Sequence, residues 1–450
     1  MNSVSNSRVT IVGSGRSGLA AATLVCHQGG TAFVTDSNQI SGGTRKALDE
    51  VGAAYESGEH TERALEADLI VISPGVPSDA PLIVKAANAG LPIVSEIELG
   101  SWFCPAPIVA ITGSNGKTTT TTLTAHMIAA SGRKTWSAGN IGTAFCGIVE
   151  SIRESDAVVL EVSSFQLDHI HTFRPTVGVL LNITPDHLNR YANSFEKYRR
   201  SKLRLFENQK EGDAAIVNTD DEAAATSTRI IRSDVALFET SLDREVERGG
   251  FLRDDELILR IDQKEEQLMH RQDVSLMGRH NLYNTLAAAV AARIMEVRSD
   301  VIRESMATFQ GVPHRLEFVR EVDGVRYFND SKATNVNAAW YALESFSERI
   351  VLIAGGRDKG NDYDPLRGLV RRKVRGLVAI GEGADKIVAE LGPETGTAVK
   401  SASLAEAVQT ARLIAKPGDI VLLSPACASF DQFENYEDRG DTFKRIVAEL

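Results

Sequence analysis

Short apolar runs rich in Val, Ile and Leu recur along the chain. Each is followed by Gly, Ser, Pro or Asp and then by a longer stretch with apolar residues at helical spacing. RVTIVG (8–13), TAFVTD (31–36), ADLIVISPGV (67–76) and LPIVSEIEL (91–99) open the series. A second series starts at PIVAITGSNGKTTT (107–120) and continues through AVVLEVSSFQL (157–167) and TVGVLLNITPDHL (176–188). A third contains RIVLIAGG (349–356), GLVAIGEG (376–383) and DIVLLSPAC (419–427). Strands alternating with helices predict α/β architecture with mostly parallel sheets. Between about 235 and 277 the helical signal fades into short alternating segments such as LILRID, which predicts an antiparallel excursion before the helical stretch NLYNTLAAAVAARIM.

Two junctions interrupt this rhythm. GSWFCPAPIVAITG carries two prolines near residue 104, and FQGVPHRLEF carries Gly311 and Pro313. They divide the chain into expected domains at 1–104, 105–312 and 313–450. The length of 450 residues fits three domains of about 150 residues each.

Composition narrows the possibilities. With 43% hydrophobic and 24% charged residues, the chain reads as a soluble globular protein. No apolar run approaches the roughly 18 residues of a membrane span. The polar N-terminus lacks the basic and apolar regions of a secretory signal. The four cysteines (Cys26, Cys104, Cys146, Cys427) are scattered, which argues against disulfides and zinc and favours a reducing cytoplasm. A net charge of −11 without a polybasic run argues against nucleic-acid or membrane-surface partners. An anionic small substrate remains compatible, since it would feel only a local basic pocket.

Two glycine loops carry candidate chemistry. The first, VGSGRSGLA (12–20), contains Gly13, Gly15 and Gly18 in G-x-G-x-x-G spacing, with Asp36 18 residues beyond. Alone it proposes a dinucleotide, its pyrophosphate at the helix N-terminus and its ribose at Asp36. The second is a strand, a turn of Gly113, Ser114, Asn115 and Gly116, and then a helix opening with Lys117, Thr118 and Thr119. Backbone N–H groups of such a turn cradle phosphates. Lys117 would reach the terminal phosphates and the Thr118 hydroxyl would hold Mg²⁺. The spacing departs from a standard Walker A, because Ile111 stands five positions before Gly116. Glu161 ends an apolar strand, where a carboxylate suits a Mg²⁺ ligand. The plainer alternatives are a surface turn with an incidental lysine and a solvated glutamate. The five threonines 118–122 make a poor helix interior, so something other than propensity must favour them there.

Taken together, TGSNGKTT, EVSSFQLD, NITPDHLNR, GRHNLYN, PHRLE, NDSKATN, GGRDKG and SPACASFDQF resemble the ordered motifs of the Mur ligases. These ATP-dependent enzymes add amino acids to the peptidoglycan precursor. SSFQLD and SPACASFDQF are similar to the branch that adds D-glutamate. The resemblance implies a Rossmann-like N-terminal domain, a central P-loop-type ATPase domain and a C-terminal Rossmann-like domain. It implies that ATP phosphorylates the terminal carboxylate of UDP-N-acetylmuramoyl-L-alanine and that the amine of D-glutamate attacks the acyl phosphate.

Site roles follow from the same resemblance. Lys117, Glu161, His187 and Lys202 would be catalytic. Thr118, Glu161, His187 and Lys202 would hold Mg²⁺, as two ions, with Lys202 carbamylated; by composition alone Lys202 is a helical lysine on a solvated face. Gly113 to Thr119, Asn140, Asn281, Asn284, Arg315 and Asp330 would bind ATP, with His280 beside them. Asn281 could equally cap its helix, and Arg315 and Asp330 could form a surface ion pair and a helix cap. Ser14, Gly15, Arg16, Ser17, Asp36, Ser73, Gly75, Asn140 and His187 would hold the UDP substrate, so that no NAD is expected at the first loop. Thr334, Lys359, Ser429, Phe430 and Tyr436 would bind D-glutamate, with Lys332 oriented by Asp330. These groups come from two blocks, which implies domain closure. A cytoplasmic monomer without nucleic-acid or membrane partners is expected. Asn189, Tyr191 and Tyr436 depart from the family pattern. A sister ligase or folylpolyglutamate synthetase, an NAD-dependent oxidoreductase and a non-catalytic nucleotide-binding protein are the rival readings.

Overall fold

The computed structural model describes residues 3–450. Three sheets carry the fold. The first joins β1 (Arg8–Val12), β2 (Thr31–Asp36), β3 (Ala54–Ser57), β4 (Leu69–Ile72) and β5 (Ile93–Ser95) in the order β3-β2-β1-β4-β5, all parallel. Strand order reverses between β1 and β4, so the loops after these strands flank the crevice where open α/β sheets take ligands. The apolar run LPIVSEIEL does not form one strand. β5 spans three residues, and the Ser95 side chain accepts the Glu98 N–H to start a short helix, Glu96–Ser101.

The second sheet comprises β6 (Ile108–Thr112), β7 (Thr135–Gly139), β8 (Ala157–Glu161), β9 (Val177–Leu180), β10 (Ala214–Asn218), β11 (Ala236–Ser241), β12 (Gly249–Arg253), β13 (Glu256–Ile261) and β14 (Lys264–His270). Its order is β14-β13-β12-β11-β10-β9-β6-β8-β7, parallel from β12 to β7. The expected antiparallel excursion is confined to β12, β13 and β14. Its two hairpins turn through Asp254–Asp255 and Asp262–Gln263, all four with positive φ, as two-residue hairpin loops require.

The third sheet holds β15 (Glu317–Val322), β16 (Val325–Asn329), β17 (Ile350–Gly355), β18 (Val374–Ile380), β19 (Ala398–Lys400) and β20 (Ile420–Leu423). Its order is β15-β16-β20-β17-β18-β19, with only the edge strand β15 antiparallel.

The chain divides into two compact units. One contains the first two sheets (residues up to Val274 and Leu282–Phe309), the other the third sheet (Ser275–Asn281 and Gln310–Leu450). In the first unit one apolar cluster runs through both sheets, from Ile11 and Val71 through Leu99 and Phe145 to Leu160 and Val217. Gly100 is required at that contact, since a Cβ there would stand 2.7 Å from the Phe145 ring. The threonine-rich helix Lys117–Ala130 buries Thr119, Thr120, Thr121 and Thr124 alongside Leu123 and Met127. Packing on both faces, rather than propensity, holds that helix.

Candidate active site

In the first unit, the loops after β1 and β4 enclose a cavity of about 750 Å³. Ser14, Gly15, Arg16, Ser17, Asp36, Ser73, Gly75 and Asn140 all line it; His187 does not. Gly18 permits the close approach of the helix to the loop, because a Cβ there would lie 1.9 Å from the Gly13 carbonyl oxygen. Asp36 accepts from the Ser14 N–H (2.7 Å), the Ser14 hydroxyl (2.6 Å) and the Asn38 N–H (2.9 Å). Burial would raise the Asp36 carboxyl, but these donors more than offset it and hold it below the usual carboxylate range. Asp36 therefore braces the glycine loop. Arg16 donates to the Gly142 carbonyl at 3.0 Å. His60, which the motifs did not point to, also lines the cavity, with Nδ1 2.6 Å from the Thr35 hydroxyl.

The second glycine loop follows β6. Gly116 has φ +86° and precedes the helix starting at Lys117; a Cβ on it would meet Asn284 Oδ1 at 2.1 Å. The loop is fastened to the segment after β9: Ser114 N–H donates to the Asn182 carbonyl, Asn115 N–H to Asn182 Oδ1 and the Ser114 hydroxyl to the Thr184 carbonyl. Lys117 Nζ donates to the carbonyls of Gly113 (2.9 Å) and Ser114 (3.0 Å). Both Glu161 oxygens are engaged, one by the Thr118 hydroxyl (2.8 Å) and the other by the Asn140 amide (2.9 Å).

Lys202 differs from its compositional reading. It is buried, not solvated. Its Nζ donates to the Gly113 carbonyl at 2.8 Å and lies 4.7 Å from the Tyr198 ring centroid. Burial, and then the neighbouring Lys117 charge, push the amine well below the ordinary lysine range against the opposing pull of Asp186, Glu161 and Asp168. His187 stands in a left-handed conformation (φ 51°), half-exposed, with its N–H on Asp186 Oδ1 at 2.9 Å. Its imidazole is held low by burial and by Lys117, Lys202 and Arg190, which Asp186 opposes. Asp186 was visible in the PDH triplet but carried no role until the fold placed its charge among these groups.

In the second unit the loops after β16, β17 and β20 lie at the carboxyl ends of adjacent parallel strands. They carry Thr334, Lys359 and Ser429. Gly356 (φ +129°) lets the second loop approach the third, since a Cβ would stand 2.2 Å from the Ala428 carbonyl oxygen. Lys359 and Phe430 are exposed and Ser429 is buried. Asp358 fixes the turn around Lys359 by accepting from Gly360 N–H (2.6 Å) and Asn361 N–H (2.8 Å). Arg439, buried and not singled out by sequence, donates to Ser331 Oγ and to the carbonyls of Ser331, Cys427 and Gly355, joining all three loops. Lys332 Nζ donates to the Tyr436 hydroxyl at 3.3 Å.

Arg315 reaches Asp330 at 3.8 Å. Asp330 is fully buried and accepts from Ser424 Oγ at 2.8 Å; burial pushes it up to about 6, with Arg315 opposing. Asn281 donates its amide to the Met277 carbonyl at 2.7 Å. The His280 ring packs against Tyr341 at 5.2 Å. Both its nitrogens are buried and lack a hydrogen-bond partner among the described residues, and burial pushes it down to about 3, with Arg315 acting the same way.

A strand–glycine turn–lysine–threonine loop with a strand-end glutamate defines an α/β protein built to handle a nucleoside triphosphate and its metal. Three family models match in order: "Mur ligase MurD-like, N-terminal domain" at 7–95, "Mur ligase middle domain" at 111–292 and "Mur ligase, glutamate ligase domain" at 314–427. The chain belongs to the Mur ligase family. Its curated relatives include the UDP-N-acetylmuramoylalanine--D-glutamate ligases of Salinibacter ruber (53% identical, covering 99% of each chain) and Chloroherpeton thalassium (44%, 99% of each). Among solved structures, UDP-N-acetylmuramate-alanine ligase of Thermotoga maritima shares the fold at TM-score 0.61 and 18% identity, covering 99% of this chain and 100% of that one. A pseudomurein peptide ligase type C of Methanothermus fervidus matches at TM-score 0.60 and 20% identity over 99% and 100%. No helix among the described residues is long and apolar enough to cross a membrane.

Proposed function

We infer that this chain joins D-glutamate to UDP-N-acetylmuramoyl-L-alanine, driven by ATP, in peptidoglycan precursor synthesis. The observation that carries this reading is the convergence of Lys117 and Lys202 on one loop carbonyl, at 2.9 and 2.8 Å, beside the Thr118–Glu161 pair. The Lys117 ammonium forms a ready counter-charge for transferring phosphate, and the buried Lys202 amine beside it is placed to become an anionic carbamate ligand.

In this reading the 113–116 turn, Thr119 and Asn140 hold ATP, and Lys117 leaves its two carbonyls to meet the terminal phosphates. Asn281 and Asn284 serve the nucleotide and Arg315 the γ-phosphate through its planar fork. Asp330, expected at the ribose, is fully buried and instead stands behind Arg315 at 3.8 Å. Thr118 and Glu161 offer oxygen donors that suit a hard divalent cation. Among the described residues no three His, Cys, Asp or Glu side chains cluster as metal ligands, so the remaining ligands would be Lys202 as a carbamate, His187 and phosphate or water oxygens. Mg²⁺, as two ions, would supply charge neutralisation there. Lys202 suits carbamylation: its Nζ is buried on a carbonyl with no carboxylate in ion-pairing distance among the described residues. Formation of the carbamate adds a C–N bond to CO₂ and releases a proton.

The glycine cavity would hold the uridine diphosphate, with Ser14, Gly15, Arg16, Ser17 and the 73–75 turn at the pyrophosphate and Asp36 bracing the loop. Lys359, Thr334, Ser429, Phe430 and Tyr436 would bind D-glutamate. Transfer of the γ-phosphoryl group of ATP to the substrate carboxylate forms the acyl phosphate and releases ADP. Attack of the neutral D-glutamate amine then forms the amide C–N bond, breaks the C–O bond and releases phosphate and a proton. The reaction belongs in the cytoplasm, where nucleotide-linked precursors are made, and we propose a monomer as the acting form.

The test is phosphate release from ATP and Mg²⁺ with UDP-N-acetylmuramoyl-L-alanine, comparing D-glutamate, L-glutamate, L-lysine and meso-diaminopimelate. Release with D-glutamate alone, together with a new amide product, is expected. Release with another amino acid would move the chain to a sister ligase.

A further inference from the structure

The loop that presents Asp186 and His187 is strained and held from outside. His187, Ala192 and Asn193 adopt left-handed φ values of 51°, 51° and 57°; His and Asn tolerate that region, whereas Ala192 keeps it only where its surroundings enforce it. The loop contributes a single 3₁₀ turn, Leu188–Tyr191.

Arg190, on that turn, makes the tie to the glycine cavity. Its Nη1 donates to the Pro74 carbonyl and its Nη2 to the Gly75 carbonyl, both at 2.8 Å. The guanidinium carbon lies 4.6 Å from the centre of the Phe165 ring, and that ring meets the His187 imidazole edge-on at 5.9 Å. Pro74 and Gly75 line the glycine cavity, whereas Arg190 does not. A planar fork on two successive carbonyls fixes both distance and direction, which a lysine ammonium cannot do. Tyr191 ties the same 3₁₀ turn to Asp168 and Ser201 through its hydroxyl, whereas Arg190 alone among the side-chain hydrogen bonds of the described residues joins it to the turn after β4.

We propose that Arg190 is a positioning residue that registers the nucleotide end of the substrate with the reacting end, so that diphosphate held at the 73–75 turn keeps the His187 loop in its strained, working conformation. This rests on the functional reading above, in which the glycine cavity takes uridine diphosphate. Its consequence is that binding energy from the non-reacting nucleotide appears in kcat and not only in KM.

The experiment uses the full chain and UDP alone as probe, followed by amide hydrogen exchange. In the wild type, UDP should slow exchange at residues 13–17 and, by about fivefold or more, at residues 186–193. In R190A and R190K the protection at 13–17 should remain, which also reports a folded cavity, while that at 186–193 disappears. Loop protection that persists in both variants, or a wild-type loop that UDP leaves unprotected, would overturn the proposal. Failure of UDP to protect residues 13–17 in the wild type would instead overturn the nucleotide reading, and this inference with it. A kinetic split gives a second readout. With the full substrate, kcat should fall about tenfold in R190A; with 1-phospho-N-acetylmuramoyl-L-alanine, which lacks the uridylyl group, it should be unchanged. Equal falls with both substrates would assign Arg190 a purely local structural role.

Discussion

Glu96 and Glu98 stand two positions apart on one short helix, both buried, and only Glu98 has the donors a carboxylate needs. Glu98 accepts from Trp102 Nε1, from the Thr172 hydroxyl and from the N–H groups of His171, Thr172 and Phe173, at 2.6–2.9 Å. Glu96 accepts from the Cys146 N–H at 2.6 Å and leaves Oε2 buried without a hydrogen-bond partner among the described residues.

Burial works against the charged form of Glu98, but its donors win and hold the carboxyl below the ordinary range. Its stabilising contribution is present above the unfolded value near 4.3 and is lost as pH falls through the lower folded value. E98Q exchanges a charged acceptor for a neutral one and should cost about 3 kcal/mol at pH 7. Urea midpoints between pH 3 and 7 check this, and the difference should shrink toward acid.

Glu96 has the opposite sign. Burial pushes it up to about 7, with the Cys146 and Phe145 donors opposing. The folded state then binds the proton more tightly than the unfolded state. Glu96 therefore costs stability progressively as pH rises from about 4.5 to 7. E96Q should be nearly neutral at pH 5 and stabilise by about 2–3 kcal/mol at pH 8. Thermal melts at the two pH values provide the measurement.

Thr118 and Glu161 meet at 2.8 Å where the functional reading puts Mg²⁺. T118A should lower kcat by about 100-fold and raise the Mg²⁺ concentration needed for half-maximal rate. Steady-state rates over a Mg²⁺ series would show it. A variant with unchanged Mg²⁺ dependence would remove Thr118 from the ion's ligands.

Lys202 should carry a carbamate in the active protein. Incubation with ¹³C-bicarbonate should yield a carbamate carbonyl resonance in the wild type that K202A lacks, and K202A should lose at least about 100-fold in kcat. A wild-type spectrum without that resonance would rule out the modification.

Asp36 takes two hydrogen bonds from Ser14. D36N should loosen the glycine loop and raise KM for the UDP substrate about tenfold, about 1.4 kcal/mol, while kcat changes little. Initial rates across a substrate series would check this. A fall in kcat without a change in KM would place Asp36 nearer the reacting atoms.

Features that depend on neighbours along the chain were legible in the residues alone. Apolar runs followed by glycine turns marked the strands β1 and β6 and the helices behind them, because a strand end, a turn and a helix start are local chemistry. Glu161 was legible for the same reason, as a carboxylate closing an apolar strand. LPIVSEIEL misled as one strand because the Ser95 cap, also local, outweighed its β-branched run.

Contacts across long separations in sequence emerged with the folded chain. Lys202 reads as a solvated lysine until its helix packs Nζ on Gly113, 89 residues away. Asp36 reads as a cavity residue, and only the fold shows that it also braces Ser14, 22 residues back. Arg190 closes the NITPDHLNR motif but takes no role from it, and Arg439 lies in no motif, since their partners are 115 and 108 residues away. A charged side chain's role depends on which donors, acceptors and solvent the fold leaves around it, and residue type and spacing do not encode that environment.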